Sequence, residues 1–430
     1  MRYALINPNW NFDGSIYFGC REPHLPLEFG YAGALLRAAG HEFELIDAQL
    51  EELDTAELRR RVAAFRPDFT VITTAPSYLF WRCAPPELRV PQQTAELLRD
   101  IGGAIVIVGP HGSTTPAATL RKVNADIVIV GECEEILPQL NQPWSSLSSV
   151  CFWRDGEPAV LGGTASADMT ALPALHWPDA LVQRHRHHHH RFDAEPLGPG
   201  AEMETSRGCP YHCTFCAKDN FRDKYRRRPL STVLEELDGL LRQGVEYVYF
   251  IDEIFLPNRE LLEALCERRV KFGIQTRIDL FTREMISLLG RAGCVSIEAG
   301  VESITEAGRE MLDKKCKVST DELAGRLIFA KELVPFVQAN LIEMKEDDPA
   351  DVEAFRVQLN AAGVWANKPV PLFPYPGSPE YTRRWGAPDD VAWERAHAAY
   401  LGNFDEFSDI QESRPQSLKE LELVQIERHG

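Results

Sequence analysis

No apolar run in this chain approaches the roughly 20 residues that a helix needs to cross a bilayer. The opening segment Met1-Arg2-Tyr3-Ala4-Leu5-Ile6-Asn7 is too short in its apolar part for a secretory signal and reads as a first strand, so a cytoplasmic protein is expected. Basic excess is also missing. Lys and Arg number 46 against 64 Asp and Glu, a net charge of -18. Nucleic-acid binding needs a basic footprint, and no nucleic-acid partner is expected. Gly and Pro, 29 each in 430 residues, are too few for a collagenous or wholly disordered chain. No internal repeat is visible. The ten cysteines, in a reducing compartment, favour metal or redox chemistry over disulfides. What is present is 44% apolar and 26% charged, enough to give two or three domains cores of their own.

Residues 1–142 alternate short apolar runs (3–7, 42–47, 69–74, 104–109 and 126–131) with amphipathic helical patterns such as 27–39 and 91–101. Ile105-Val106-Ile107-Val108 and Ile127-Val128-Ile129-Val130 are continuous β-branched stretches, suited to strands buried on both faces. This is the pattern of an α/β, doubly wound, Rossmann-like domain. Ligands on such sheets sit outside the strand C-termini, here at loops 73–78, 109–112 and 131–132. Residues 143–200 read as a linker region. It has a small hairpin at 149–160 around Asp155-Gly156 and proline-rich connections. Its histidine run, 185–190, is expected to be a solvated or interface loop rather than a metal site. The β/α rhythm returns over 201–385, with strands at 202–206, 247–252, 272–277, 295–299, 336–342 and 368–373. Six such units make a partial (β/α)6 barrel of the TIM type, in which chemistry sits at the strand C-termini. The segment 386–430 is helical and acidic.

The strongest signal is Ser206-Arg207-Gly208-Cys209-Pro210-Tyr211-His212-Cys213-Thr214-Phe215-Cys216, three cysteines in a loop directly after the first barrel strand. Thiolates suit zinc or iron–sulfur centres. A structural zinc site wants four ligands, and Cys266, Cys294 or His212 would have to supply the fourth. Three thiolates on a cubane leave one iron open to a substrate or cosubstrate. The spacing, with aromatic Phe215 just before the third cysteine, resembles the radical S-adenosylmethionine (SAM) superfamily. The resemblance implies a [4Fe–4S] cluster on Cys209, Cys213 and Cys216. Its open iron would chelate SAM, and reduction would cleave SAM to methionine and a 5′-deoxyadenosyl radical. It also implies an external electron donor such as flavodoxin or ferredoxin. It carries SAM contacts onto Phe215, onto Asp252 and Glu253 at the end of the second strand, and onto Arg277 and Glu298 at the third and fourth. Pro374-Tyr375-Pro376-Gly377-Ser378-Pro379 is similar to a late turn of the cobalamin-associated branch.

In the first domain, Leu25-Pro26-Leu27-Glu28-Phe29-Gly30-Tyr31, Val108-Gly109-Pro110-His111 and Val130-Gly131-Glu132-Cys133-Glu134 resemble the cobalamin-binding domain of that branch. The implied cobalamin contacts are Ser77, Tyr78, Gly109, Pro110, His111, Gly131 and Glu132. The Asp-x-His-x-x-Gly motif that gives cobalt a histidine in many methyl carriers is missing, so no protein histidine on cobalt is expected. Chain length and the 184–192 insert are similar to a subgroup labelled rhizo-twelve. The basic stretch 218–228 is expected to be a solvated face or to pair with the acidic excess, rather than to bind an anionic substrate or the cobalamin periphery. The expected activity is SAM- and cobalamin-dependent methylation of an unactivated carbon on a small-molecule or lipid-like substrate. Cyclisation, oxidation or rearrangement with the same cofactors is the alternative, and a zinc-stabilised cobalamin carrier without catalysis the remote one.

Overall fold

The computed structural model describes residues 1–10, 23–77, 86–185, 198–404 and 416–418; Tyr78, Cys20, Cys83 and the rest of the histidine run, Arg186 to His190, lie outside these. The first sheet holds β1 (Arg2–Asn7), β2 (Glu42–Asp47), β3 (Phe69–Thr73), β4 (Ala104–Val108) and β5 (Ile127–Ile129), all parallel, in the order β2-β1-β3-β4-β5. Both faces are covered. Leu5, Val71, Val106 and Ile129 pack with Phe29 and Leu36 on one side. Ile6, Ile72, Ile107 and Val128 pack with Val62, Leu98 and Leu120 on the other. The hairpin is not free-standing. Strands β6 (Val150–Arg154) and β7 (Glu157–Leu161) add antiparallel to β5, extending the sheet to seven strands. Its turn needs positive φ at both central residues, met by Asp155 (52°) and Gly156 (85°).

The second sheet is entirely parallel and contains the six strands of a partial barrel. These are β8 (Gly200–Met203), then, after a two-residue ladder of β9 (Ser206–Arg207) with β10 (Arg226–Arg227), β11 (Tyr247–Phe250), β12 (Lys271–Thr276), β13 (Cys294–Glu302), β14 (Phe336–Leu341) and β15 (Trp365–Ala366). Met203, Phe250, Ile274, Ile297 and Val337 are register neighbours, buried among leucines of the helices that cover the sheet. Successive side chains of a strand point to opposite faces. The next residues, Gln275, Glu298 and Gln338, therefore line the other face, where they are only half-buried. The sixth strand lies earlier than the expected 368–373. Pro369 and Pro371 each remove a ladder donor, and only the bridge Ile342–Val370 forms there.

From the barrel the chain returns to the first domain. The helix Ala392–Gly402 sets Trp393 against His111, ring centroids 4.4 Å apart, and Trp393 Nε1 donates to Thr115 Oγ1 at 3.2 Å. Among the described residues no helix is long and apolar enough to cross a membrane.

Candidate active site

The cysteine loop leaves the C-terminal end of β8 and is tied down at several points. Its base is closed by the β9–β10 ladder. Gly208 adopts φ 80°, a Cβ there would stand 2.2 Å from the Lys224 carbonyl oxygen, and its N–H donates to Glu253 Oε2 at 2.7 Å. Between the second and third cysteines, Thr214 donates to the Leu312 carbonyl (3.0 Å) and accepts from Glu380 N–H (2.8 Å). The late turn therefore docks directly on the loop, with Gly377 close against Asn220.

All three cysteines are half-buried. Burial pushes the Cys213 thiol up to about 11, the Cys216 thiol up to about 12, and Cys209 upward as well. Near neutral pH such thiols ionise only against a cationic partner, which is the chemistry of a metal-ligand set. Neither cysteine expected as a fourth zinc ligand, Cys294 or Cys266, lies beside the triad. Cys294 opens β13, whereas Glu302 at its other end meets Lys314 beside the loop. Nine residues at ~3.3 Å rise put these ends roughly 26 Å apart. Cys266 is exposed at the end of the helix Arg259–Cys266, on the approach to the N-terminal end of β12. His212 is exposed, with Nδ1 3.5 Å from Asp219. Three local thiols with an open position fit a [4Fe–4S] cluster better than a closed zinc site.

Of the other expected SAM residues, Asp252, Glu253 and Arg277 contact the loop. Asp252 is buried and fully engaged: Oδ1 accepts Thr205 N–H (2.7 Å), and Oδ2 accepts the hydroxyls of Thr205 and Ser206 (2.5 Å each). Burial raises it to about 6. Glu253 is held by Gly208 N–H and by Arg222 at 3.3 Å, and burial raises it to about 7 against the pull of that guanidinium. Arg277 lies over the Tyr211 ring at 4.2 Å and pairs with Asp279 at 2.8 Å. Its Nη1 is buried without a hydrogen bond among the described residues. Phe215 and Glu298 are half-buried. Glu298 stands in register between Gln275 and Gln338, and Gln338 donates to Asn340 at 2.5 Å. The inner face of the sheet is thus a polar, partly accessible surface beside the cysteines.

At the C-terminal edge of the first sheet, Ser77 accepts Leu27 N–H at 3.0 Å and donates to Glu28. Gly109 (φ 118°) precedes the short helix Pro110–Thr114, which carries the fully buried His111. Gly131 bridges Ala165 so closely that a Cβ would lie 2.4 Å from its backbone. Glu132 accepts from Ala167 N–H (2.7 Å) and from Arg207 and Arg226. A tight gap, too narrow to admit a water molecule, separates this edge from the segment that follows the cysteine loop, lined by Glu28, Gly109, Gly131, Cys133, Glu134 and Arg222 among others. Glu28 Oε1 and Arg222 Nε are buried there without hydrogen bonds among the described residues. An orphaned acceptor and donor of this kind suit an amide, such as those on the corrin periphery. The gap as it stands has no room for the macrocycle.

Two clusters were not foreseen from the sequence. Most of the basic stretch is paired, as expected, but inside the protein. Lys218 binds Asp219 and Asp223, Arg222 binds Glu204, Arg226 binds Glu132, and Arg228 binds Glu236. Arg207, fully buried, pairs with Glu132 (3.1 Å), Glu134 (2.7 Å) and Glu204 (2.9 Å). Burial works against the Glu132 carboxylate, yet the guanidiniums around it hold it down to about 2. The pairing of an acidic Glu132-Cys133-Glu134 turn with the arginine-rich flanks of the cysteine loop was the available signal. The second cluster lies at the first residue of the histidine run and agrees with the interface half of the expected solvated or interface loop. His185 is buried, 3.2 Å from Glu202, whose other oxygen meets His24 at 2.8 Å.

Comparison with known proteins agrees with this architecture. Residues 203–353 match the radical SAM superfamily and residues 21–141 match the B12 binding domain. The chain belongs to the cobalamin-binding radical SAM family. It is similar to the anaerobic magnesium-protoporphyrin IX monomethyl ester cyclase of Cereibacter sphaeroides, 25% identical over 80% of this chain and 56% of the cyclase. It is also similar to the hopanoid C-3 methylase of Methylococcus capsulatus, 27% identical over 82% of this chain and 67% of the methylase. The fold is shared with the radical SAM methyltransferase TsrM from Kitasatospora setae, solved with cobalamin and a [4Fe–4S] cluster (TM-score 0.69, 19% identity, 88% of this chain, 76% of that one). The chain thus spans little more than half the length of the cyclase and two thirds of the methylase.

Proposed function

We propose that this chain is a cobalamin-dependent radical SAM enzyme that methylates an unactivated carbon of a substrate bearing hydrogen-bonding groups. The observation that carries the reading is the placement of Cys209, Cys213 and Cys216 on one tethered loop beside the half-buried polar face of a partial barrel. When bound, the cluster, SAM and cobalamin supply one-electron cleavage and a transferable methyl group. The protein's own part is positional. The three cysteines hold the metal centre, and Phe215 stands beside the third. Asp252 and Glu253 fix the backbone of the loop through Thr205, Ser206 and Gly208. The free guanidinium nitrogen of Arg277 and the row Gln275, Glu298 and Gln338 offer donors and acceptors to SAM and to the substrate. Glu28 and Arg222 offer the same to a corrin amide from the facing domain. This polar lining favours a polar small molecule over a wholly lipid-like one.

The likeness to a cyclase supports a second reading, in which the same cofactors close a ring. The deciding experiment is anaerobic reconstitution with iron, sulfide, SAM and cobalamin, followed by reduction with a flavodoxin or ferredoxin system and mass analysis. Methylation adds one CH2 to the product, whereas cyclisation removes hydrogen. Cys→Ala at any triad position should abolish both the iron and SAM cleavage, while Cys294→Ala and Cys266→Ala should keep them. Iron and SAM cleavage retained in the triple triad variant would refute the assignment, and so would a wild-type protein that takes up zinc instead of iron.

A further inference from the structure

We propose that Glu132, on the loop after β5 of the first domain, is a positioning residue for the cysteine loop of the second. The proposal rests on the reading of the triad as a metal-cluster site. The loop is closed at its base by the β9–β10 ladder, and the register of that ladder sets Arg226 directly opposite Arg207. Like charges facing each other across an antiparallel pair repel, and an arginine cannot escape by losing its proton. Arg207 is also fully buried. Two residues per strand give the ladder little of its own to resist the repulsion.

Glu132 meets both guanidiniums at once. One oxygen lies 3.1 Å from Arg207 Nη1 and 3.1 Å from Arg226 Nη1, and the other lies 2.5 Å from Arg226 Nη2. Glu134 adds a second contact to Arg207 at 2.7 Å. Of the three carboxylates on Arg207, only Glu204 belongs to the barrel. The clasp at the root of the cysteine loop is therefore assembled from two domains, and Cys209 lies two residues beyond Arg207.

The test compares Glu132→Gln, the double variant Glu132→Gln/Arg226→Gln, and a control, Glu394→Gln. The control removes one partner of the Lys122–Glu394 pair, which ties the returning C-terminal helix to the first domain away from the loop. Hydrogen exchange is read in the metal-free proteins across residues 206–216. Glu132→Gln should speed exchange there by about tenfold or more, the weight of a charged hydrogen bond, with the helices of the barrel unchanged. The double variant, which removes the repulsion together with its relief, should recover most of the protection, and the control should match wild type. In reconstituted protein Glu132→Gln should shift the cluster's midpoint potential or its electron paramagnetic resonance signal at full iron content. Unaltered loop exchange in Glu132→Gln would overturn the proposal. So would loosening spread evenly over the whole chain, or a double variant no better than the single. Should Glu132→Gln not fold, a double variant that also fails would overturn it, and one that folds with a protected loop would support it. A wild-type protein that takes up no iron would defeat the cluster reading alone, because the exchange result does not depend on metal.

Discussion

Glu28 gives a pH-dependent prediction whose size follows from its surroundings. Its side chain is buried beside the gap between the domains, accepts a hydrogen bond from Ser77, and leaves Oε1 without one among the described residues. Burial raises the carboxyl from its ordinary 4.5 to about 7, and the nearby Glu134 adds to the rise. A folded-state value above the unfolded one means that the folded protein binds more protons between those two pH values. Stability from this group is therefore full below the unfolded value and is lost as pH rises through the folded one. At about 1.4 kcal/mol per pH unit the loss totals about 3 kcal/mol. Glu28→Gln keeps the shape and removes the titration. The new amide N–H lacks a partner, at a cost of about 1 kcal/mol. The variant should be less stable than wild type by about 1 kcal/mol near pH 3.5, about equal to it near pH 5, and more stable by about 2 kcal/mol near pH 8. Urea denaturation of the metal-free proteins across that range measures the difference, in which titrating groups remote from Glu28 cancel. A difference that stays flat with pH, or a wild type still ahead near pH 8, would refute the reasoning.

Two further predictions concern the loop and the returning helix. Gly208→Ala forces a Cβ into a left-handed residue 2.2 Å from the Lys224 carbonyl oxygen, so iron bound after reconstitution should fall well below the wild-type content while the melting temperature of the apo-protein changes little. Trp393→Ala removes the ring packed on His111 and the bond to Thr115. It should cost about 3–5 kcal/mol, read as faster hydrogen exchange in the helix Ala392–Gly402 and around Thr115, with iron content unchanged.

The first sheet was legible because strands buried on both faces leave a signature that little else mimics: uninterrupted Ile and Val at 105–108 and 127–130. The cysteine loop was legible for a similar reason, since a chelating set must be local to be pre-arranged. The sixth barrel strand was misplaced because apolar residues around Pro369 and Pro371 looked like a strand, while the two-residue β15 had too little length to show a period. Asp252 and Glu253 were recognisable as important positions, but sequence could not say that their oxygens are already taken by Thr205, Ser206 and Gly208. The opposition of Arg207 to Arg226 was beyond reach, because it depends on the register of a ladder closed across the whole cysteine loop.

The interface between the domains has an apolar part and an ionic part, and they do different work. Trp10, Leu25, Leu27, Tyr31 and Ala75 of the first domain join the same apolar cluster as Met203, Leu237 and Phe250 of the barrel. Burial of that kind supplies attraction but tolerates sliding. The buried ions do not tolerate it. A displacement that separated Glu132 and Glu134 from Arg207 would leave a charge stranded in the interior, at a cost of several kcal/mol. A buried ion pair adds little net stability over apolar residues of the same shape, so its value here lies in alignment. The ions that enforce the alignment are attached to the two places where chemistry is proposed: the turn after β5 on one side and the root of the cysteine loop on the other. The proposed radical chemistry would depend on a fixed separation between reacting groups, and on that reading the charge pairs of this interface, more than its apolar packing, would hold the separation.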